Sequence, residues 1–298
     1  MNYFLTEEQK MIVETARELA EKKIKPVREK YDREGIFPWD IVKDMAETGL
    51  TGIYIPEEYG GMGGGIFELC LAVEELSKVC GGISLALAAT ALGTFPILLF
   101  GNEEQKKKYL PDIAEGKKLT AFALTEADAG SDAGNMKTTA KKEGDYYILN
   151  GTKQWITNGG EADIYTVIAI TDKRKGTRGA TAFIVEKGME GFSFGKKEDK
   201  MGIRASATRE LIFQDCKVPA RNILGREGMG FIVAVNTLNY SRPGVAAQAL
   251  GIATGALEEA LSYSRQRIQF GQTISSFQAV QHMLANMATE IEAARALV

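Results

Sequence analysis

The chain has 298 residues, of which 45% are apolar and 25% charged, a globular composition with enough length to bury a sizeable core. Its 36 basic and 39 acidic residues are interspersed, so no single-sign field exists to attract nucleic acid or an anionic membrane. The three cysteines show no CxxC spacing, which indicates reduced thiols and leads us to expect a cytoplasmic protein. We see no secretion signal in residues 1–10 and count no apolar run of about 18 residues, so we expect no membrane-spanning segment.

The first part of the chain has helical periodicity. We predict helices from Thr6 to Pro26, from Pro38 to Thr48, from Phe67 to Val79 and from Asn102 to Gly116, with an apolar stretch over 83–100. The first and last of these open with capping boxes, Thr6 with Gln9 and Asn102 with Gln105. The apolar face of the first helix is predicted to comprise Met11, Ile12, Ala16, Leu19, Ala20 and Ile24. Residues 60–65, rich in glycine but matching no phosphate-binding motif, are predicted to form a flexible loop, and residues 1–118 an N-terminal helical domain.

From about Leu119 the pattern is typical of strands. Short β-rich runs lie at 146–149, 163–170, 180–185 and 210–213. Asn-Gly pairs, glycine turns and a charged segment at 173–178 separate them. This spacing predicts a small β-barrel or sandwich over residues 119–227.

After Gly228 the helical pattern returns, with a long helix over 229–264 and a last helix opened by Ser275 and Gln278. The last helix carries an apolar stripe: Val280, Met283, Leu284, Met287, Ile291, Ala294 and Leu297. Because this stripe runs to Val298 without a stop signal, we expect residues 228–298 to be an incomplete C-terminal helical bundle. The predicted class is α+β: an N-terminal helical domain, a central β-barrel and that incomplete bundle.

Two strings between Ala121 and Gly160 carry the chemistry. Residues 121–132 read AFALTEADAGSD, and residues 153–160 read KQWITNGG. They resemble the flavin-contacting signatures of the FAD-dependent acyl-CoA dehydrogenases, and the likeness covers the whole chain, including MGIR at 201–204 and RIQFG at 267–271. The resemblance implies an FAD cofactor and α,β-dehydrogenation of an acyl-CoA thioester. It also implies electron-transferring flavoprotein as the partner that reoxidises the enzyme.

The same resemblance implies roles for individual residues. It places beside the flavin Phe122, Leu124, Thr125, Ser131, Trp155, Ile156 and Thr157. Thr125 would bond the pyrimidine side of the ring, Thr157 would bond near N5, and Trp155 would cover one flavin edge. Ser131 would meet both the FAD pyrophosphate and the substrate. Hydroxyls and backbone N–H groups suit this task because they fix a planar ring and stabilise the charge that builds on reduction.

Two further sets follow from the resemblance. Positions that reach the FAD of a neighbouring subunit are Arg267, Gln269, Phe270 and Gln278, which implies a homo-oligomer, either a dimer or a tetramer. Asn239 and Arg242 match the segment that holds the CoA moiety, although the family most often has Asp at the first position. A guanidinium suits phosphate or carbonyl oxygens because its donors are planar and always charged.

The implied reaction requires a carboxylate to remove the α-proton. Most members of the family carry this Glu near the C-terminus, and a minority carry it at the position of Ser241. A serine cannot act as that base at neutral pH without an activating partner. We therefore match no catalytic residue in this sequence, expect the base beyond Val298, and expect little dehydrogenase activity from the chain alone.

Alternatives remain open. The chain could be a non-catalytic FAD or acyl-CoA binding module, or a related flavin-dependent acyl-CoA oxidase. We interpret Glu126 and Asp132 as hydrogen-bonding groups of a turn rather than an acid–base pair, and His282 as a packing or surface residue. Nothing in the sequence supports metal binding. The segment 86–100 contains no arginine to pair with a second carboxylate, which favours short- to medium-chain or alicyclic acyl groups over glutaryl.

Overall fold

The computed structural model describes residues 4–298. Within this range six α-helices come first: α1 (Glu7–Leu19), which a π-helical turn (Ala20–Ile24) continues, α2 (Arg28–Glu34), α3 (Trp39–Glu47), α4 (Ile66–Val79), α5 (Gly81–Phe100) and α6 (Glu103–Ala114). Eight strands follow: β1 (Thr120–Ala123), β2 (Thr139–Glu143), β3 (Tyr146–Thr157), β4 (Ile164–Ile170), β5 (Ala180–Glu186), β6 (Phe192–Phe194), β7 (Thr208–Pro219) and β8 (Ile223–Leu224). They are followed by α7 (Gly230–Gln266), the short strands β9 (Ile268–Gln269) and β10 (Gln272–Thr273), a 3₁₀ turn (Ile274–Ser276) and α8 (Gln278–Leu297).

Both predicted N-terminal capping boxes are confirmed. The Thr6 hydroxyl accepts a hydrogen bond from the Gln9 N–H at 3.2 Å, and the Asn102 amide oxygen accepts one from the Gln105 N–H at 2.9 Å. In each box the glutamine side chain bonds back to the cap N–H, so orphan donors at the helix start are satisfied. One predicted face residue is misplaced: Met11 is 65% exposed and does not join the core.

Helix α5 corrects our expectation that no apolar run is long enough to span a membrane. Among residues 4–298 it is the helix that meets this criterion by length and composition, with 20 residues and a mean hydropathy of 2.0. Ser84, Thr90 and Thr94 interrupt the apolar run, but they do not lower the hydropathy enough to exclude the segment. Most of the helix, 67% of the window, is buried against other parts of the protein. It therefore serves as a core helix that packs on α4, α7 and β1.

The strands form one sheet that is not closed, where we predicted a small β-barrel or sandwich. Their order is β6-β7-β3-β2-β4-β5-β8, and β1 lies parallel to β4 off this path. Among the described residues the two outer strands, β6 and β8, do not pair with each other, and they contain three and two residues. Strands this short cannot supply the continuous ladder that closure requires. The mixed α+β class is as predicted, with helices before and after the strands along the chain.

The C-terminal helices differ from prediction in two details. Helix α8 starts at Gln278 after Phe277, whereas Ser275 lies in the preceding 3₁₀ turn, where its hydroxyl shares a hydrogen bond with Thr273. The helix packs on α7 mainly through Ile291, which joins Leu250 and Leu257 in a small cluster. Other members of its apolar stripe stay exposed in the structure: Met283, Met287 and Leu297.

Candidate active site

The two signature strings lie side by side. The Gln154 N–H donates a 2.8 Å hydrogen bond to the carbonyl oxygen of Thr125. The ammonium of Lys153 donates to the carbonyl oxygen of Leu124 at 2.9 Å. Residues that are distant in the chain are thus hydrogen-bonded to each other, just after the end of β1 and near the end of β3.

A β-bulge in β3 creates this contact. The register between β3 and β7 shifts between Lys153 and Ile156, which leaves Gln154 and Trp155 without partners in the ladder. Trp155 has a φ of 60°, in the left-handed region that non-glycine residues rarely adopt, and its side chain is 56% exposed. The bulge frees the Gln154 N–H for Thr125 and turns the indole outward, where it can cover a bound ring.

Glu126 has the structural role that we expected for it. Its carboxylate accepts hydrogen bonds from the backbone N–H groups of Lys137 (2.6 Å) and Thr138 (3.0 Å) and from the ammonium of Lys153 (2.7 Å). Burial alone would raise the pKa of this carboxyl, but the Lys153 charge and the three hydrogen bonds outweigh it and hold the pKa below its ordinary value. Asp132 is exposed on the loop, so the two acids do not form a pair.

A cleft of 550 Å³ opens beside Thr157. It is lined by Leu85, Thr157, Lys200, Met201, Gly202, Ile203, Ser206 and Thr208. The Ser206 hydroxyl is buried and has no hydrogen-bond partner among residues 4–298, so it is free to bond a group that enters the cleft. Burial lowers the pKa of Lys200, and the nearby Lys197 and Arg204 charges lower it further. Sequence reasoning missed Ser206 and Lys200, because only the folding of residues 197–208 around Thr157 reveals them.

Asn158 fixes the wall of this cleft. Its φ is 61°, and its buried amide donates to the hydroxyl of Thr90 at 3.2 Å and to the carbonyl oxygen of Thr120 at 3.1 Å. Its backbone N–H donates to Ala207 at 3.0 Å. One residue thereby joins α5, β1 and the segment that precedes β7, immediately after Thr157.

The other predicted flavin residues occupy different environments. Phe122 and Thr125 are half-buried, and Ser131 is exposed on the loop between Glu126 and Thr138. Leu124 and Ile156 are buried, 8% and 3% exposed, with Ile156 in the core of the sheet. A bound ring could therefore meet Ile156 only through its backbone.

The two predicted CoA residues lie together on α7. Both Asn239 and Arg242 are exposed, and the Arg242 guanidinium donates to the side-chain oxygen of Asn239. Ser241, on the same turn, is buried, and its hydroxyl donates to the Leu238 carbonyl oxygen at 3.2 Å.

The residues predicted to serve a neighbouring subunit form an exposed group. Strands β9 and β10 pair Gln269 with Gln272, and Phe270 and Gly271 make the turn with φ values of 52° and 73°. Phe270 is 93% exposed, and Arg267, Gln269 and Gln278 are exposed around it. His282 is also on the surface. Within residues 4–298 no three side chains of His, Cys, Asp or Glu are grouped so as to hold a metal ion.

The fold therefore consists of N-terminal helices, an open sheet and C-terminal helices, with a cleft of hydroxyl and apolar groups beside Thr157. Family models for the acyl-CoA dehydrogenase N-terminal, middle and C-terminal domains match residues 6–117, 121–216 and 228–298. The chain belongs to the acyl-CoA dehydrogenase family.

Solved structures agree with this assignment. Butyryl-CoA dehydrogenase from Megasphaera elsdenii is 50% identical, with a TM-score of 0.96 over 100% of this chain and 79% of its own. A chain in the structure of the electron transferring flavoprotein of Acidaminococcus fermentans, studied for flavin-based electron bifurcation, is 56% identical, with a TM-score of 0.97 over 100% and 78%. An acyl-CoA dehydrogenase from Bacillus anthracis complexed with FAD is 42% identical, with a TM-score of 0.90 over 98% and 51%.

The protein is accordingly a flavoprotein oxidoreductase that uses FAD and acts on acyl-CoA thioesters. The residues present fit that cofactor. The unpartnered Ser206 hydroxyl, the half-buried Thr157 and the outward-turned Trp155 offer polar contacts and an aromatic cover for an uncharged ring.

Proposed function

We propose that this protein oxidises a short-chain acyl-CoA thioester at a flavin held by Thr125, Trp155 and Thr157, and passes the electrons to electron-transferring flavoprotein. The observation that carries the proposal is the Gln154–Thr125 hydrogen bond, which unites both signature strings beside the cleft at Thr157. When bound, FAD supplies the acceptor for the hydride that leaves the β-carbon of the substrate.

The residues of the chain position the flavin and shield it. The hydroxyls of Thr125 and Thr157 would bond opposite parts of its polar edge, and the Trp155 indole would exclude water from one side. Phe122 and the Leu124 backbone would line the ring from β1, and Ile156 would contribute only its peptide group. Ser131, exposed on the loop closed by Glu126, would reach the pyrophosphate. Rigid donors of this kind act without reorganisation as negative charge develops.

The short-chain assignment draws on the butyryl-CoA dehydrogenase that is 50% identical and on the segment 86–100. That segment lies within α5, where no arginine is available to neutralise a second carboxylate. Arg242 would bind the CoA part, with its guanidinium already oriented by Asn239. We assign the α-proton to no residue of the described chain, because Ser241 is bonded within its own helix and carries no charge.

The exposed Phe270 turn would complete the flavin site of a neighbouring subunit, together with Arg267, Gln269 and Gln278. An aromatic ring that is 93% exposed favours such a contact, because apolar side chains of this size gain from burial at an interface. The proposal therefore includes a homo-oligomer. It also includes a cytoplasmic location, supported by three free cysteines.

The test is anaerobic addition of butyryl-CoA to the FAD-loaded protein while flavin absorbance is followed. Because no residue of the described chain is assigned as the base, we expect slow bleaching here and faster bleaching in Ser241→Glu, which supplies a carboxylate. Bleaching that persists until electron-transferring flavoprotein is added supports the proposal. Rapid reoxidation by air would instead identify an oxidase, and retained CoA binding without bleaching in either protein would identify a binding module. A protein that takes up no FAD contradicts the proposal as a whole.

A matched pair of variants tests the CoA assignment. Arg242→Gln should weaken butyryl-CoA binding by on the order of tenfold, because it removes a charged hydrogen-bond donor. Arg265→Gln makes the same change at another exposed position of α7 and should leave binding unchanged. Equal effects of the two substitutions would show that Arg242 has no specific role.

A further inference from the structure

The ammonium group of Lys153 is enclosed within the flavin-side wall of the sheet. Its side chain has 0% exposure, which is rare because burying a charge away from water is costly unless it is paired and hydrogen-bonded. Lys153 meets both conditions through the carboxylate of Glu126 at 2.7 Å and the carbonyl oxygen of Leu124 at 2.9 Å. A methionine would fill the same volume without that cost, so packing alone does not explain a lysine here.

Lys153 and its neighbour bind three consecutive residues of the first string. The Lys153 ammonium donates hydrogen bonds to the Leu124 carbonyl oxygen and the Glu126 carboxylate. The Gln154 N–H donates to the carbonyl oxygen of Thr125, which lies between them. The residue proposed to bond the flavin pyrimidine is therefore held on both sides by one charged group. The same β3 segment continues through the bulge to Trp155 and Thr157.

The pair also controls the loop that carries Ser131. The Glu126 carboxylate bonds the N–H groups of Lys137 and Thr138, at the far end of that loop, while the Glu126 backbone pairs with Ala129 at its start. If Lys153 were neutral, Glu126 would lose its counter-charge in a buried position and the loop closure would weaken. Through its own hydrogen bonds and its ion pair with Glu126, the Lys153 ammonium thus connects three segments: the first string, the loop and the β3 bulge.

We propose that Lys153, paired with Glu126, is the positioning residue of the flavin site, which fixes the geometry of the Thr125 string and keeps the local charge balanced beside the ring. The inference rests on the proposed flavin site. It assigns to these two residues a role in FAD affinity and in reduction potential that their burial alone would not give them.

Because the two residues carry opposite charges, the proposal predicts that removing one or the other shifts the reduction potential in opposite directions. Lys153→Met leaves an unpaired carboxylate, which disfavours the electron-rich reduced flavin and shifts the reduction potential to more negative values. Glu126→Gln leaves an unpaired ammonium and shifts the potential to more positive values. A purely structural pair would lower stability in both variants without this opposition. The double variant Lys153→Met/Glu126→Gln removes both charges and should restore the potential while FAD affinity stays reduced.

The experiment measures the FAD dissociation constant and the reduction potential of the unsubstituted protein and these three variants. The control, Lys141→Met, removes a lysine that is paired with Glu143 but is 79% exposed on β2 of the same sheet, and it should match the unsubstituted protein. We expect FAD binding to weaken by on the order of tenfold or more in Lys153→Met, because Leu124 and Glu126 lose a charged donor.

Unchanged FAD affinity in Lys153→Met, or potentials that move in the same direction in both single variants, would overturn the inference. If Lys153→Met does not fold, the other two variants test the inference. An unshifted reduction potential in Glu126→Gln, or undiminished FAD affinity in the double variant, would also overturn it. Failure of the unsubstituted protein to bind FAD removes the proposed function together with this inference. If the unsubstituted protein binds FAD but the variants have unchanged FAD affinity and reduction potential, only the inference about Lys153 is contradicted.

Discussion

The backbone N–H of Gln154 lies 2.8 Å from the carbonyl oxygen of Thr125, and this one hydrogen bond aligns the strings that carry Thr125 and Trp155. This hydrogen bond can form because the bulge leaves Gln154 without a partner in β7. The bulge thus costs β3 one hydrogen bond to β7 and provides instead a hydrogen bond between two segments of the site.

Replacing Gln154 with proline tests this joint. Proline has no N–H, so the Thr125 carbonyl oxygen loses its donor, which should cost about 1–3 kcal/mol of stability and weaken FAD binding by on the order of tenfold. Fluorescence titration with FAD and thermal unfolding measure both effects. Gln154→Ala keeps the N–H and should behave like the unsubstituted protein; similar behaviour of the two variants would contradict the prediction.

Acid should weaken the Glu126–Lys153 pair in a predictable pH range. The pKa of Glu126 is lower in the folded protein than its ordinary value of 4.5, so its stabilising contribution is complete above that value and is lost as pH falls through the lower folded pKa. At neutral pH, Glu126→Gln should cost about 3–5 kcal/mol, because it leaves a buried ammonium unpaired.

Urea unfolding of both proteins between neutral pH and the acid range measures this. The stability gap between them should be largest above pH 4.5 and should shrink on acidification. A gap that is constant or grows in acid would show that the pair does not act as described. Glu143→Gln, on an exposed part of β2, should change stability by less than about 0.5 kcal/mol.

Local signals in the sequence were reliable where a short-range mechanism exists. The capping boxes at Thr6 and Asn102 formed as predicted because each depends only on residues within one helical turn. Ser275 carries the same spacing to Gln278, yet it lies in a 3₁₀ turn in which its hydroxyl shares a hydrogen bond with Thr273. The three-residue spacing of a capping box is necessary for the motif but does not determine where a helix begins.

Features that depend on distant partners could not be predicted. We predicted no strand at β1 or β2, which the structure pairs with β4 and β3. The alanines of β1 and Lys141, Lys142 and Glu143 of β2 are residue types that are depleted in strands, so their pairing depends on distant partners. Strand periodicity likewise does not show which outer strands meet, so the sequence did not reveal that the predicted barrel or sandwich is an unclosed sheet. Lys153 was assigned no role because a lysine in a sequence is normally read as exposed.

The two tryptophans provide an internal comparison for the flavin contact. Trp155 is proposed to cover the ring, whereas the Trp39 indole donates to Glu161 at 3.0 Å and packs near Phe37. Adding FAD to Trp39→Phe, which retains only Trp155, should quench most of the indole fluorescence. The converse variant, Trp155→Phe, should be quenched less, because Trp39 lies near the second string but not against the ring. Stronger quenching in Trp155→Phe than in Trp39→Phe would contradict the Trp155 contact.

The exposed Phe270 turn should matter for assembly and little for the fold of one subunit. Phe270→Ser should change unfolding free energy by less than about 0.5 kcal/mol, because the ring is 93% exposed. It should nevertheless lower both the oligomer population and the FAD affinity, as measured by sedimentation at several concentrations with and without FAD. Phe67→Ser, at a partly exposed position of α4, serves as the control, and an unaltered oligomer in Phe270→Ser would contradict the cross-subunit assignment.

A carboxylate at position 241 should supply a base for the α-proton. Ser241 is buried on α7, where a minority of the family carries its glutamate, and burial raises the pKa of a carboxyl group. Ser241→Glu should therefore bleach the flavin faster on anaerobic addition of butyryl-CoA, and the rate should rise with pH as the carboxyl ionises. Ser241→Gln has the same size without the charge, and equal rates in the two variants would exclude the position as a base.

Asn158 has a consequence for how the molecule loses its structure. Its amide touches Thr90 in a helix and Thr120 in a strand, and its backbone reaches Ala207. Separating the amino-terminal helices from the sheet would break these hydrogen bonds and expose the apolar surface packed around them to water, so we expect the helices and the sheet to unfold together. Residues 6–117 and 121–216 match two separate family models, yet on heating they would then behave as one cooperative unit.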